Sequence, residues 1–446
     1  MNCQTPIQLS TTKFCPPKVL QMRMDNVELD EDRMYVSVSP YQNASLTALH
    51  AKLNAAKSSM DIIYLRDSEE FNAIWKKFQS LLDTYNMLKP HITREYGATG
   101  VTNGWLKQWE LQSNFAPIPK HQSINAFFNA DSSGSASAAL IHYMATARPD
   151  VNFSWWACAN TDLTQYTRSS VVNDNPQNWV TTPTNNGDMT NIDCILDIVD
   201  KFGPGSITGG MDFYSHDAGL NVSDNFNQQE VKNSKLLLGC AITGLLLLRP
   251  GGSFIAKQYT MFESLTWNLI MIYAHCFTSF TICKPLTSKP YNSEVYLIGR
   301  GFKGISTQLR QLLIAKLVNF DMTPMMEKSS LQIVSLVHFA DAVFGQQIRF
   351  IYDNMFLWKA YNQDSENLYR RIMLYKKACM ADWIYIHPIG RLGIGKQVQV
   401  IARLPSPTCG QQKEWYPNVK AQKAQSHVDM LQTYKYNPSA QPLLQF

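Results

Sequence analysis

The chain has 446 residues, of which 45% are hydrophobic and 11% aromatic, so it is long enough for two or three domains with a substantial globular core. Its longest uncharged apolar segment, residues 240–248, is far shorter than the roughly 20 residues that cross a bilayer, and its first residues do not resemble a signal peptide, so we expect neither a membrane span nor a secretion signal. The net charge of +5 is modest, and the nine cysteines are scattered without a CxxC pair, which argues against a disulfide framework and a zinc site and favours a reducing compartment.

The first part of the chain divides into a polar segment and a helical segment. Residues 1 to about 44 are polar and contain several prolines, which predicts a loosely structured lead-in. Between residues 44 and 88, apolar residues such as Leu46 and Leu49 recur at helical spacing and predict two or more helices. We therefore expect an N-terminal lead-in and helical region over residues 1–88.

Beyond Asn125, short apolar runs alternate with stretches of helical period. This alternation predicts an α/β fold with a doubly wound parallel sheet, and two final strands with no helix between them predict an antiparallel edge hairpin. The predicted strands are 126–130, 153–159, 210–216, 251–257, 279–284 and 293–299, and the predicted helices are 136–144, 227–248 and 261–275.

Four charged residues fall at one predicted edge of this sheet. Asp131, Asp217 and Lys257 each follow or end a strand, and Glu294 opens the last strand, which would run in the opposite direction. Ligands of doubly wound sheets bind outside the carboxyl ends of the strands, so these residues are candidates for a functional site. A purely structural network of buried ion pairs is the alternative interpretation.

The C-terminal part is basic and rich in aromatic residues. Residues 368–446 contain 11 Lys or Arg against three Asp or Glu. Lysine and arginine neutralise phosphates and aromatic faces stack on unpaired bases, which makes single-stranded nucleic acid a candidate partner; an ordinary solvated basic face is the alternative. The aromatic residues interleaved with these bases are Tyr369, Tyr375, Trp383, Tyr385, Trp415 and Tyr416.

The segment 248–304 contains, in this order, a lysine after GGSF, the following YTMF, the run KPLTSKPYNSE and the last predicted strand. In these features it resembles the catalytic half of FtsJ-type ribose 2′-O-methyltransferases, most of all the cap-specific mRNA 2′-O-methyltransferases of eukaryotes and large DNA viruses. Weaker similarity covers residues 45–305. The resemblance implies a Rossmann-like class I methyltransferase sheet, with an FtsJ-like domain at 89–305 and a C-terminal extension at 306–446.

The resemblance also implies a catalytic tetrad of Lys107, Asp217, Lys257 and Glu294. In that scheme burial and the nearby Lys107 lower the pKa of Lys257, which accepts or stabilises the proton of a ribose 2′-hydroxyl. Asp217 and Glu294 orient the two lysines, and no metal takes part.

The implied cofactor is S-adenosyl-L-methionine. The family's first cofactor loop reads Ala-Pro-Gly-Gly/Ala-Phe, whereas this chain has ADSSGSAS at 130–137, which keeps the glycine and replaces the proline and the aromatic residue. The amides at the start of the next helix would suit the cofactor carboxylate, and an acid in NNGDMTN is similar to the one that contacts the adenine amino group. The expected cofactor residues are Asp131, Ser133, Gly134, Asn160, Asp162 and Asp188.

These features together predict an S-adenosylmethionine-dependent RNA ribose 2′-O-methyltransferase that acts near the 5′ cap of mRNA. We expect capped RNA and other capping or transcription proteins as partners, no membrane partner, and a cytoplasmic or nuclear location, or the cytoplasm and virion for a viral chain. Two alternatives stay open. One is a 2′-O-methyltransferase of rRNA or tRNA, and the other, favoured by the altered loop, is a catalytically degenerate fold that serves as an RNA-binding or assembly subunit.

Overall fold

A computed structural model describes residues 20–60, 69–160, 171, 174–180, 186–222, 225–327 and 330–392 of the chain, without the side chains of 330–333. All of these residues belong to one compact unit, which ends at Ala402. Within them, seven strands form a single sheet. The strands are β1 (Leu20–Asp25), β2 (Ser123–Asn129), β3 (Asn152–Cys158), β4 (Met211–His216), β5 (Leu248–Gln258), β6 (Phe277–Lys284) and β7 (Val295–Phe302).

Eleven α-helices lie in the same described residues. Those before and between the strands are α1 (Ala44–Ser59), α2 (Glu69–Leu82), α3 (Leu88–Tyr96), α4 (Asn103–Phe115), α5 (Ser135–Ala147), α6 (Ile192–Phe202), α7 (Gln229–Leu247) and α8 (Ser264–Cys276). Three more follow the last strand: α9 (Thr307–Val318), α10 (Ser330–Gln363) and α11 (Ser365–Ile386).

The strand order is β1-β6-β7-β5-β4-β2-β3. Strands β3, β2, β4 and β5 are parallel to their neighbours in this half of the sheet, whereas β7 runs antiparallel between β5 and β6. The predicted Rossmann-like α/β sheet with an antiparallel hairpin is therefore confirmed, but the hairpin of β6 and β7 is not at the edge of the sheet, because β1 pairs with β6 beyond it. Because β7 is antiparallel to β5, its first residue lies at the edge where β5 ends.

Strand β1 corrects the prediction of a loosely structured lead-in. Leu20–Asp25 pairs antiparallel with β6, in a register that joins Leu20 to Lys284. Its residues alternate between inward and outward positions, with Met22 partly buried and Met24 buried against the main core. An apolar residue at every second position suits a strand on a half-covered sheet, and an open sheet edge supplies the hydrogen-bonding partners.

The sheet is buried on both faces. Phe127 and Tyr214 belong to a core cluster shared with α7 and α8, and their chain neighbours Phe128 and Phe213 belong to a second cluster shared with α4 and α5. Successive side chains of a strand point to opposite faces, so these alternating memberships identify the two layers. Burial on both faces explains why the strands read as nearly continuous apolar runs.

The helices predicted over residues 44–88 are present as α1 and α2, and they pack against helices from the far end of the chain. Trp75 and Phe78 of α2 form a cluster with Trp358 of α10 and with residues of α11. The rings of Trp75 and Trp358 meet edge to face at 5.0 Å. The predicted N-terminal and C-terminal regions thus share a core, and the division at residues 88 and 305 stays a prediction.

Candidate active site

The strand register brings the predicted site residues to one edge of the sheet. Asn129 of β2 pairs with His216 of β4, and His216 pairs with Ala256 of β5, so the chain leaves both strands at the same level. Gln258 of β5 pairs with Val295 of β7. Asp217, Lys257 and Glu294, each next to one of these residues, therefore lie at a common edge.

Helix α4 supplies the fourth member of the tetrad. Lys107, on a buried turn of this helix, donates from Nζ to both carboxylate oxygens of Glu294 at 3.0 Å. Ser288 adds a hydroxyl bond of 2.8 Å to Oε1 of Glu294. Both members of the ion pair are almost fully buried, so each depends on the other to offset the loss of hydration.

The second ion pair joins Lys257 to Asp217. Lys257 Nζ donates to the backbone oxygen of Asp217 at 2.8 Å and lies 3.2 Å from its Oδ1. The hydroxyl of Tyr296 donates to the same Oδ1 at 2.9 Å, and the ring of Tyr296 lies 5.4 Å from Nζ of Lys107. Tyr296 therefore touches both ion pairs and joins them into one cluster.

The cluster has one open side. About 31% of the Asp217 side chain is exposed, whereas the Lys257 side chain is only 10% exposed. A hypothetical side chain on Gly104, at the start of α4, would come within 3.8 Å of Asp217 Oδ2. A substrate hydroxyl can therefore approach the ion pairs from the exposed side of Asp217.

Both carboxylates are held in the ionised form. Burial by itself would raise their pKa, but the lysine charges outweigh it: Lys257 and Lys107 lower the pKa of Asp217, and Lys107, Lys257 and Lys284 lower the pKa of Glu294. At neutral pH the two carboxylates are therefore acceptors that hold the lysines in place.

Lys257 differs from the expectation. Burial lowers the pKa of its ammonium, but the charges of Asp217, Tyr259 and Glu294 raise it more, so the net pKa lies above the ordinary lysine value. Lys107, the other cation of the expected scheme, pairs with Glu294. The predicted lowering of the Lys257 pKa is wrong for this state of the protein, and Lys257 is a cation at neutral pH.

Near the tetrad lies a third lysine, Lys284, whose pKa is lowered below the ordinary lysine value. Lys284, at the end of β6, donates to the backbone oxygens of Asn292 and Glu294 at 2.8 Å and to Oδ1 of Asn292 at 2.5 Å. Burial lowers its pKa to about 7, against the opposing charge of Glu294. Its side chain thus holds the loop that leads into Glu294 in place through three hydrogen bonds.

Glu110 fixes the other end of that loop. It lies on α4, one helical turn after Lys107, and is fully buried. Its carboxylate accepts hydrogen bonds from the backbone N–H of Leu286 at 2.6 Å and of Thr287 at 3.0 Å, and from the Thr287 hydroxyl at 2.7 Å. One helix therefore holds both the lysine partner of Glu294 and the loop that carries Glu294.

Sequence reasoning missed several of these supporting residues. Tyr296 is two positions after Glu294, so strand alternation alone places both side chains on one face. Lys284 and Ser288 lie inside the run KPLTSKPYNSE, whose order carried the resemblance. Glu110 lies in the same stretch as Lys107, WLKQWE, but its contact with Thr287 joins residues 177 positions apart and could not be predicted from that stretch.

The start of α5 is occupied by the chain's own Asp131. This buried carboxylate accepts from the backbone N–H groups of Ser135 at 3.0 Å, Ala136 at 3.4 Å and Ser137 at 2.9 Å, and from the Ser137 hydroxyl at 3.0 Å. The expectation that these amides receive a cofactor carboxylate is therefore wrong for this state. Asp131 stabilises the positive end of the helix in its place.

The two other expected residues of this loop lie beside Asp131. Ser133 donates from its hydroxyl to the hydroxyl of Ser135 at 2.8 Å. Gly134, the residue that caps α5, has φ 65°. This left-handed conformation favours glycine, so the retained glycine has a backbone role in turning the chain into the helix.

The remaining expected cofactor residues follow β3. Gly187, with φ 78°, lies so close to this strand end that a Cβ would be 2.4 Å from the backbone oxygen of Ala159. The half-buried Asn160 and Asp188, which follow these two residues, are thereby brought to the same end of β3. Oδ1 of Asp188 accepts two bonds of 2.9 Å from Thr190, and Asp162 lies outside the described residues.

Comparison with known proteins decides the family. The family model "FtsJ-like methyltransferase" matches residues 155–302. The "Probable methyltransferase EP424R" of African swine fever virus (isolate Pig/Kenya/KEN-50/1950) is 32% identical over 327 residues, which cover 67% of this chain and 73% of that protein. The chain belongs to the FtsJ-like methyltransferases. As a member of that family it is a methyltransferase enzyme that uses S-adenosyl-L-methionine.

More distant relatives of this FtsJ-like methyltransferase are named for a cap substrate. The "Cap-specific mRNA (nucleoside-2′-O-)-methyltransferase 2" of Pongo abelii is 25% identical over 336 residues, 71% of this chain and 43% of that protein. The protein of the same name from Mus musculus is 27% identical over 257 residues, 55% and 33% of the two chains. The similarity thus spans more than half of this chain but less than half of each of these two relatives.

The two ends of the cofactor fit this FtsJ-like methyltransferase differently. Gly187 packs directly against the backbone of Ala159, and this close approach brings the polar side chains of Asn160 and Asp188 to the strand end, where they would suit the amino and hydroxyl groups of an adenosine. The methionine carboxylate, in contrast, does not fit the amides at the start of α5, because Asp131 occupies them. The adenosine end is therefore the part of the group that these residues suit best.

The predicted nucleic-acid residues of the C-terminal part divide into core and surface. Lys376 donates to the backbone oxygens of Ser80 and Leu81 at 3.0 and 3.1 Å, and Trp383 is buried beside Glu110. For these two residues the expected RNA contact is wrong. Tyr369 and Tyr385 are exposed, and Trp415 and Tyr416 lie outside the described residues.

Among the described helices, none is long and apolar enough to span a membrane.

Proposed function

We propose that this enzyme transfers the methyl group of S-adenosyl-L-methionine to the 2′-hydroxyl of a ribose near the 5′ cap of mRNA. The observation that carries the proposal is the pair of joined ion pairs, Lys107 with Glu294 and Lys257 with Asp217, at the carboxyl edge of the sheet. The names of the cap-specific relatives support the choice of substrate.

The reaction needs little covalent chemistry from the protein. The bound cofactor supplies a methyl group on a positively charged sulfur, which is a good electrophile. A bond forms between the ribose 2′-oxygen and the methyl carbon, the sulfur–methyl bond breaks with its electron pair on sulfur, and the hydroxyl proton is released. The protein must position the hydroxyl and stabilise charge that develops on its oxygen.

Lys257 performs the second task as a cation. With its pKa above the ordinary value, it keeps its proton and can donate a hydrogen bond to the 2′-oxygen as negative charge develops there. Asp217 fixes the direction of this ammonium, and the hydroxyl proton passes to water at the exposed side of Asp217. Lys107 and Glu294 form the second ion pair of the cluster, and Tyr296 connects it to Asp217.

Asn160 and Asp188 hold the adenosine end of the cofactor in this proposal, with Asp162 as a further candidate for the ribose hydroxyls. Gly134 and Ser133 border the methionine end, and Asp131 keeps α5 in position. Capped RNA is the proposed partner, together with other capping or transcription proteins. The proposed location is the cytoplasm or nucleus, or the cytoplasm and virion for a viral chain.

The test is transfer of a labelled methyl group from S-adenosylmethionine to capped RNA by the full-length chain. We expect Lys257→Ala to lower the rate at least about 100-fold, since a positioned charged group contributes roughly that much. Lys52→Ala, which changes an exposed lysine of α1, is the matched control and leaves the rate unchanged. Undiminished transfer by Lys257→Ala would overturn the proposal.

The same assay separates the rival substrates. Equal transfer to capped and uncapped RNA, or preference for structured rRNA or tRNA fragments, would replace the cap assignment and keep the chemistry. RNA binding without transfer to any of these substrates, and without heat of binding for S-adenosylmethionine, would instead favour the degenerate RNA-binding subunit. The observation that favours this degenerate subunit is that Asp131 occupies the backbone amides at the start of α5.

A further inference from the structure

A cavity of about 570 Å³ lies at the edge of the sheet opposite to the tetrad. Its walls are the beginning of β5 at Gly251 and Ser253, the end of β7 at Arg300, the end of α5 near Arg148, and the loop 116–120 that follows α4. Ser253 is four residues before Lys257, so the cavity begins about 13 Å along β5 from the tetrad. It is therefore a separate site on the same strand.

The charged residues that line this cavity are all basic. They are Lys120, Arg148 and Arg300, and no Asp or Glu is among the described lining residues. Lys120 and Arg300 are exposed, and Arg148 is partly buried. Three like charges around one cavity repel each other unless an anion lies between them, so the arrangement favours a negatively charged ligand.

Both arginines are held in place by neutral groups. Arg148 donates to the backbone oxygens of Pro119 at 2.7 Å and His121 at 3.0 Å. Arg300 donates to the backbone oxygen of Phe115 at 3.2 Å and to the hydroxyl of Ser279 at 3.3 Å. Each of these contacts orients a guanidinium without neutralising it. A guanidinium has five N–H donors, so each arginine keeps further donors for a ligand.

A neighbouring arginine shows the contrast. Arg249, at the same end of β5, donates to Oδ1 of the buried Asp212 from Nε at 2.8 Å and from a terminal nitrogen at 2.5 Å. His121 also lies 3.1 Å from this oxygen. The fold therefore neutralises one arginine at this edge and leaves the two that face the cavity without a carboxylate partner among the described residues.

We propose that this cavity binds a phosphate group. The planar fork of a guanidinium matches two phosphate oxygens, and Arg148 and Arg300 are oriented before any ligand arrives. The rim is open at Gly251, where a Cβ would meet nothing within 4 Å. The phosphate belongs either to an RNA chain that continues past the tetrad or to a free phosphate or pyrophosphate ion, and the two sources share this chemistry.

The test uses the full-length chain and the charge-removing variants Arg148→Gln, Arg300→Gln and their combination. Arg310→Gln, on the exposed face of α9, is the matched control. Binding is measured with inorganic phosphate, pyrophosphate, a capped dinucleotide and a capped RNA of about 20 nucleotides, the last at several salt concentrations. Neither the ion binding nor the affinity for the dinucleotide requires methyl transfer, so the result does not depend on the proposed function.

We expect one of two supporting results. If the phosphate belongs to RNA, the double variant binds the long RNA several-fold more weakly, and its affinity for the dinucleotide is unchanged. The slope of the logarithm of the RNA binding constant against the logarithm of the salt concentration then becomes shallower by about 0.7 per charge removed. If the phosphate is a free ion, saturable phosphate or pyrophosphate binding disappears in the double variant and RNA affinity is unchanged.

Unchanged binding of both the ions and the long RNA by the double variant would overturn the proposal. Because Arg148 and Arg300 also hold neighbouring backbone, their variants are compared with the wild type by thermal unfolding. If those variants fail to fold, Lys120→Gln is the variant that decides the test. This substitution removes one positive charge from the cavity at a side chain that is exposed. Loss of the same binding by Lys120→Gln supports the proposal, and unchanged binding contradicts it.

Discussion

Each lysine of the tetrad faces a carboxylate, and this pairing controls how the site responds to a lost charge. Lys107 lies 3.0 Å from Glu294, and Lys257 lies 3.2 Å from Asp217. Removing one member leaves its partner charged and poorly hydrated, which is strongly destabilising for a buried pair. The stability of the local structure and the chemistry of the site are therefore coupled at these four residues.

Lys284 should give the protein a pH-dependent stability. Its pKa is about 7 in the folded chain, below the ordinary lysine value that applies when the chain unfolds, so the unfolded chain binds more protons between these two values. The free energy of unfolding should then rise with pH from about 7 to 10, by up to ~1.4 kcal/mol per pH unit from this residue.

The measurement is denaturant unfolding across that pH range for the wild type and Lys284→Met. The variant should show a smaller rise of the unfolding free energy, because the titrating group is gone. Lys303→Met, which changes an exposed lysine just after β7, should keep the wild-type slope. Identical slopes for the wild type and Lys284→Met would contradict the lowered pKa.

At the scale of elements, the sequence predicted the parallel strands well because each is a short apolar run buried on both faces. β2 to β5 all appear within a few residues of their predicted bounds. Strand β1 was missed because its LQMRMD pattern is short and lies in a polar segment, and its partner β6 is far away in sequence.

The candidate site could be predicted to the level of residues but not of contacts. Strand ends gave Asp217, Lys257 and Glu294, since strand order and direction alone bring them to one edge. The resemblance was needed for Lys107, which lies on a helix. The direction of the Lys257 pKa could not be predicted, because it depends on which carboxylate each lysine contacts, and Lys107 and Glu294 are 187 positions apart.

Glu110 makes α4 and the loop before β7 act as one element. We expect Glu110→Gln to lower the unfolding free energy by about 1 to 3 kcal/mol, because the amide replaces one acceptor oxygen with a donor that faces the N–H groups of Leu286 and Thr287. Methyl transfer should also fall through kcat more than through KM, since the residue positions Glu294 and does not touch substrate.

Denaturant unfolding and steady-state kinetics test this prediction. Glu366→Gln is the control, because that carboxylate is exposed and its ion pair with Arg370 should contribute well under 1 kcal/mol. If Glu110→Gln unfolds and reacts like the control, the loop does not depend on Glu110.

At the scale of the whole molecule, the helices at the two ends of the described chain depend on each other. α1 packs against α10, and α2 packs against α10 and α11 through the cluster around Trp358. A chain that ends after Ser306 loses all three C-terminal helices and leaves Trp75 and Phe78 without their partners. Within the described residues, the methyltransferase sheet and its flanking helices thus belong to one compact unit.

Two truncations test this organisation and the role of the last residues. A chain that ends at Ala402 should unfold like the full chain, whereas one that ends at Ser306 should aggregate or unfold at a lower temperature, because the apolar cluster on α2 is exposed.

Residues 403–446 carry five Lys or Arg against two acids. Their removal should weaken RNA binding and leave S-adenosylmethionine affinity unchanged. Equal RNA affinity of the full chain and the chain ending at Ala402 would refute the RNA-binding role.

The pairing of β1 with β6 also orders events during synthesis. Leu20 pairs with Lys284, so β1 leaves the ribosome about 260 residues before its partner, roughly 13 to 50 s earlier at ordinary elongation rates. An uncovered edge strand such as β6 is a template for pairing with other chains. Because β1 is made first, its cover is already present on the same chain when β6 emerges, and the nascent protein can close this edge before a second molecule reaches it.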